Sequence, residues 1–149
     1  MAPAQAVLER PGALDRPPEH QRVDLTTCEH PTNVARRALR STLRPRTSDA
    51  RIDDVVLVAT ELIANAGKHA DGAVRMLLDL YEDCLVLWVF DRAADRCDVT
   101  PRQSADTDQD GRGLGIVTAL TDHWFLWRAE DGKAVVAVFL LPPEERAPR

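Results

Sequence analysis

Glu61-Leu62-Ile63-Ala64-Asn65-Ala66-Gly67-Lys68-His69-Ala70 is the stretch that decides how this chain folds. At about 100° per residue, Val55, Ala59, Leu62, Ile63, Ala66 and Ala70 fall on one face of a helix. Asp54, Glu61, Asn65 and Lys68 fall on the opposite face. The spacing predicts a helix that starts after Ser48 as N-cap and runs to about His69. Glu61 and Asn65, four residues apart, project the same way. An Asn offers a neutral oxygen to a hard cation such as magnesium, and a carboxylate one turn earlier can take a proton from a hydroxyl. Both are equally ordinary residues for the solvated side of an amphipathic helix, and the spacing alone does not choose. Lys68 and His69 likewise suit either a phosphate contact or the negative end of the helix dipole.

Outward from this helix the pattern alternates between short apolar runs and polar breaks. Upstream, Val23–Thr27 is β-prone, and a helix is predicted from Pro31 through Val34, Ala35, Ala38 and Leu39 to about Leu43. Arg44-Pro45-Arg46 breaks it. Downstream, Asp71-Gly72 makes a turn into a strand over Ala73–Leu80. Glu82-Asp83 turns the chain into Cys84–Phe90, apolar throughout and so a central strand. Asp91 to Gly113 is polar, and a loop of that length in a small domain points to function or disorder. A helix over Leu114–Leu120 follows, then a hairpin of Trp124–Arg128 and Ala134–Leu141 across Glu130-Asp131-Gly132-Lys133. Helices against a largely antiparallel sheet define an α+β two-layer sandwich. Residues 22–141 form the domain. Residues 1–21, with Pro3, Pro11, Pro17 and Pro18, are expected to be a mobile N-terminal tail, and 142–149 a C-terminal tail.

Two further features bear on chemistry. Gly111-Arg112-Gly113-Leu114-Gly115 stands just before an apolar helix, where glycines let backbone N–H groups approach a phosphate and the helix dipole favours it. Arg112 adds positive charge there. The same residues are also what a flexible loop running into a helix looks like. Asp91 ends the apolar strand, where its carboxylate is able to accept from an exocyclic amine or simply start a turn.

Composition removes several classes. With 149 residues and a net charge of −5, the chain suits one domain and lacks the basic balance of a dedicated nucleic-acid binder. No run approaches the roughly 20 apolar residues of a membrane span. Glu9 and Arg10 interrupt the region where a signal peptide needs an apolar core, so a cytoplasmic location is expected. Cys28, Cys84 and Cys97 form no CxxC pair, which suits a reducing compartment. The four histidines lack zinc spacing. Asp106-Thr107-Asp108-Gln109-Asp110 lacks the glycine and glutamate of a calcium loop and reads as solvated chain. Trp88, Trp124, Trp127, Phe90, Phe125 and Phe139 fall in predicted strands as packing residues.

Taken together, Glu61–Ala70, Asp91 and Gly111–Gly115 resemble the N box, the adenine-binding Asp and the second glycine box of the histidine-kinase-like (GHKL) ATPases. The chain is most similar to their anti-sigma-factor serine/threonine-kinase branch, over about Val23 to Leu141. The resemblance implies a Bergerat-type ATP-binding fold with a mixed, mostly antiparallel sheet and helices on one face. It implies ATP and Mg²⁺ as cofactors, with Asn65 on the metal, Glu61 as base towards a protein serine, and Asp91 on the adenine amine. Lys68, His69, Gly111, Arg112, Gly113, Leu114 and Gly115 would lie around the phosphates, under a lid formed by the polar loop. The implied partners are a sigma factor and an anti-anti-sigma antagonist protein, with a possible homodimer and neither nucleic acid nor membrane. Two departures stand out. Gly67 replaces a bulkier residue and marks a closer backbone approach. Asp91-Arg92-Ala93-Ala94 lacks the glycine, or hydroxyl residue and proline, that usually follows the Asp, which bears on nucleotide affinity more than on fold. The alternative is a catalytically inactive nucleotide-sensing or nucleotide-independent binding module on the same fold. A sensor histidine kinase is disfavoured, because neither His20 nor His30 has a phosphoacceptor context. A gyrase-like ATPase is disfavoured because no transducer domain is expected after Leu141.

Overall fold

The computed structural model describes residues 19–69, 72–92, 111–129 and 132–141. The element order is β1 (Glu19–Asp24), α1 (Pro31–Leu43), α2 (Asp49–His69), β2 (Ala73–Leu80), β3 (Cys84–Asp91), α3 (Gly111–Leu120), β4 (His123–Ala129) and β5 (Gly132–Leu140). The strands form one sheet in the order β1-β2-β3-β5-β4. Every pairing described is antiparallel, so the parallel component of the expected mixed sheet is absent among the described residues. The class is nonetheless the expected one, an α+β sheet with its helices on one face.

Local chemistry sets the element ends. Pro31 stands in the first turn of α1, where its missing N–H costs nothing. Ser48 caps α2, its Oγ accepting from the Arg51 N–H at 3.3 Å. Gly72 takes φ +97° as the chain leaves α2 for β2, a backbone conformation that opposes a Cβ. Its N–H donates to the Ala66 carbonyl at 2.9 Å, closing the turn.

Strand β1 begins at Glu19, upstream of the Val23–Thr27 run. Its residues are mostly polar because it is an edge strand, and of Glu19, Gln21 and Val23 on the inward face only Val23 is apolar, which leaves little apolar pattern to read. Likewise α3 starts at Gly111, three residues before Leu114, and β5 starts at Gly132 inside the expected turn. Gly132 is required there, since a Cβ would overlap the Asp91 carbonyl oxygen on β3.

Alternation along β3 divides two cores. Leu85, Leu87 and Val89 face the helices, packing with Ile52, Val55, Val58, Leu62, Leu39 and Phe139. Cys84, Val86, Trp88 and Phe90 face the other way, in a second cluster with Phe125, Val136 and Val138. Trp88, Phe90 and Trp127 meet there as a stacked and edge-on trio with centroids 5.8–6.1 Å apart. Asp79, buried on this apolar face, accepts from the Trp88 indole at 3.2 Å and pairs with His20 across the strands.

Arg51 fastens the helical layer to the sheet. Its guanidinium donates to Asp122 at 2.8 Å and to the Leu140 carbonyl at 2.7 Å, and lies 5.4 Å from the Phe139 ring centroid. Asp122 follows α3 and Leu140 ends β5, so one side chain ties the start of α2 to the end of α3. Arg51→Ala is expected to lower stability by about 2–3 kcal/mol, because hydrogen bonds to a charged group are lost from a largely covered site. A drop in the urea midpoint with an unchanged slope is the measurement that checks it.

Candidate functional site

The direction of the helices brings the chemistry together. The N-terminal turn of α2 is tied through Arg51 to Asp122, just beyond the C-terminus of α3. The two helices pack side by side, and therefore run antiparallel. Asn65 lies about 21 Å along α2 from Arg51, and ten residues of α3 span about 15 Å. The glycine-rich start of α3 thus lies towards the end of α2 that carries Glu61, Asn65 and Lys68.

Strand β3 delivers Asp91 to that same end. Asp91 pairs in register with Ala73, the first residue of β2, which follows α2 after a short turn. Counting by twos from Leu87 and Val89 puts its side chain on the helical face. Three chain ends converge there: the last turns of α2, the last residue of β3 and the first turn of α3.

Glu61 and Asn65 are half-buried, flanked on α2 by the buried Leu62, Ile63 and Ala66, as the helical spacing requires. Lys68 is exposed in the last turn, and His69 ends the helix, its side chain outside the described residues. A Cβ at Gly67 would meet nothing within 4 Å, so no close backbone approach explains this glycine, contrary to the expectation. Gly111, Arg112 and Gly113 form the first turn of α3 itself instead of a loop before it, and their side-chain surroundings are not described. That first turn still has four backbone N–H groups without intrahelical acceptors. Leu114 packs on the helix-side core, which anchors the turn, whereas Gly115 is exposed with open space around it. Of the expected lid over Asp91–Gly113, residues 93–110, which include Asp106–Asp110, lie outside the described residues.

Asp91 is 6% exposed and its Oδ2 lies 3.3 Å from the ammonium of Lys133 on β5. Sequence reading left Lys133 in a turn. Its signal was a lone cation at the start of the last strand, a position that antiparallel pairing sets against the end of β3. Cys84 is no candidate nucleophile: burial, with the neighbouring Asp83 carboxylate, pushes its thiol up to about 12. Among the described residues there is no cluster of three His, Cys, Asp or Glu side chains, and no helix long and apolar enough to cross a membrane.

The histidine kinase-like ATPase domain model matches residues 25–139, and the chain belongs to that family. Among solved structures it is similar to the RsbU and RsbW domains of Rv1364c from Mycobacterium tuberculosis, with a TM-score of 0.62 and 17% identity. That likeness, which concerns the fold, covers 88% of this chain and 35% of the mycobacterial one. No curated protein matches the chain in sequence.

Proposed function

We propose that this chain is an ATP- and magnesium-dependent serine/threonine kinase of the anti-sigma-factor type, which phosphorylates a small antagonist protein and sequesters a sigma factor in the cytoplasm. The observation that carries the reading is the convergence of Asn65, Asp91 and the start of α3 at one end of the helical layer, within a histidine kinase-like ATPase domain. Their donor and acceptor set fits Mg-ATP. Asn65 would hold the ion, the first-turn amides of α3 with Arg112 would hold phosphate oxygens, and Asp91 would accept from the adenine amine. Lys68 would supply further positive charge at the phosphate end, with His69 next to it in sequence. When bound, the nucleotide supplies the transferable γ-phosphoryl group. Glu61 takes the proton of the attacking serine or threonine hydroxyl, one turn from the residue on the metal.

A second reading keeps the fold without turnover. It is favoured by Asp91-Arg92-Ala93-Ala94, where the expected glycine or hydroxyl is missing, and by the Lys133 ammonium that already engages the Asp91 carboxylate. The test is incubation with γ-labelled Mg-ATP and the antagonist proteins encoded beside the gene. Label on a serine or threonine of one antagonist is the expected result. Mg-ATP binding should also raise stability by about 2.7 kcal/mol at a hundred times its dissociation constant. Stabilisation without transfer to the true partner would indicate a nucleotide sensor, and neither would indicate a nucleotide-independent module.

A further inference from the structure

A second concave site lies on the sheet face that points away from the helices. Arg22, Asp24, Thr26, Arg75, Phe90 and Arg92 line a cleft of about 390 Å³ at the corner where β1 and β2 meet the end of β3. Register fixes which way these side chains point. Arg22 is opposite Leu77, and Asp24 is opposite Arg75, which is opposite Phe90. Leu77 and Phe90 belong to the outer cluster, so Arg22, Asp24 and Arg75 share its face. Glu61, Asn65 and the Asp91 carboxylate face the other side.

Three guanidiniums share this cleft with a single carboxylate, that of Asp24, on the same face. Among the described residues, Arg22, Arg75 and Arg92 form no ion pair and no side-chain hydrogen bond. Arg22 and Arg75 are diagonal neighbours across β1 and β2, with backbones roughly 7–8 Å apart, within reach of each other for long side chains. Arg75 is held against the Phe90 ring with its guanidinium carbon 4.1 Å from the centroid, a stacked geometry that fixes the donor fork. The carboxylate of Asp24 is occupied locally, accepting from the Thr26 amide at 2.9 Å and hydroxyl at 2.6 Å. Those bonds, with the nearby Arg22 charge, hold it below the ordinary carboxylate range and so ionised. Asp91 stands at the rim, but its side chain is paired with Lys133. In a chain of net charge −5, a concave surface with three guanidiniums outside any ion pair and one carboxylate already engaged with Thr26 is a local conflict of the kind that marks a binding site.

We propose that this cleft binds a phosphate monoester, held by the guanidinium forks of Arg22, Arg75 and Arg92. The charge and donor count select that class: a monoester carries close to two negative charges and three acceptor oxygens, against one charge and two oxygens for a carboxylate. The volume falls at the low end of small-ligand sites, room for a phosphate and a few attached atoms. A small metabolite and a phosphorylated side chain of another protein present the same chemistry, and binding measurements separate them.

The experiment is calorimetric titration of the full chain with glycerol 3-phosphate, with a phosphoserine peptide and with its unphosphorylated form. Binding of a monoester, with no binding of the unphosphorylated peptide, is expected, and the tighter of the two phosphorylated probes identifies the source. Arg22→Ala with Arg75→Ala should weaken it at least tenfold, and Arg75→Lys should weaken it less, while thermal melting of both variants stays close to wild type. Failure of both monoesters to bind at millimolar concentration, or unchanged binding by the double variant, would overturn the proposal. So would loss of binding in Asn65→Ala with retention in the double variant, which would put the anion in the nucleotide site. The nucleotide reading fails separately, if Mg-ATP does not bind the wild type while the monoester still does.

Discussion

Glu61→Ala is expected to slow phosphate transfer by roughly 10²–10⁴-fold while leaving Mg-ATP binding intact, the range for removal of a general base. Asn65→Ala should do the reverse at the first step and lose magnesium-dependent nucleotide binding. The difference follows from what each atom offers. Asn65 supplies a neutral oxygen to a hard cation, and Ala has no ligand to replace it. Glu61, about 6 Å earlier along α2, touches the ion in neither reading and acts only when a hydroxyl attacks. Both residues are half-buried on the polar side of a helix whose packing comes from Val55, Val58, Ala59, Leu62 and Ile63, so neither change should cost much stability. The measurements are labelled-phosphate transfer to the antagonist, a titration with Mg-ATP, and a pull-down of the sigma factor. Wild-type transfer by Glu61→Ala would remove it from the base position. Equal ATP affinity in Asn65→Ala with and without magnesium would remove Asn65 from the metal.

The parts of this fold legible in sequence were those whose burial writes a period. The helix Asp49–His69 shows its buried side plainly, and the all-apolar β3 can only be a central strand. The edge strand β1 was misplaced because one face of it carries His20, Arg22 and Asp24 and the other Glu19, Gln21 and Val23, so Val23 is its one apolar residue. The start of α3 was missed for a different reason. Three glycines in five residues have poor helix propensity, and tertiary packing of Leu114 and Val117 overrides it. In the site, Glu61, Asn65 and Asp91 stood out because chemistry and spacing were local. Lys133 and Arg51 did not, since their partners are 42 and 71 residues away in the chain, with only sheet register and helix direction to bring them together.

That long-range pair sets up the second large effect. Asp91→Asn is expected to lower the preference for adenine over guanine nucleotides by roughly ten- to a hundredfold, the range for loss of a hydrogen bond to a charged acceptor. The carboxylate only accepts, and so selects the adenine amine; an amide turned either way also tolerates a carbonyl. The same substitution breaks the ion pair with Lys133, which is itself 86% covered, so a fall in stability is expected as well. Lys133→Met separates the two consequences. It removes the ammonium, keeps most of the aliphatic stem, and leaves the Asp91 carboxylate in position. If Asp91 reads the base, Lys133→Met loses stability yet keeps the adenine preference, whereas Asp91→Asn loses both. Competition titrations with ATP and GTP beside urea denaturation of the two variants give the comparison. Matching behaviour of the variants in both measurements would reduce Asp91 to one half of a structural ion pair. A retained preference in Lys133→Met alone would make the buried carboxylate at the end of β3 the residue that selects the base, with Lys133 as its structural partner.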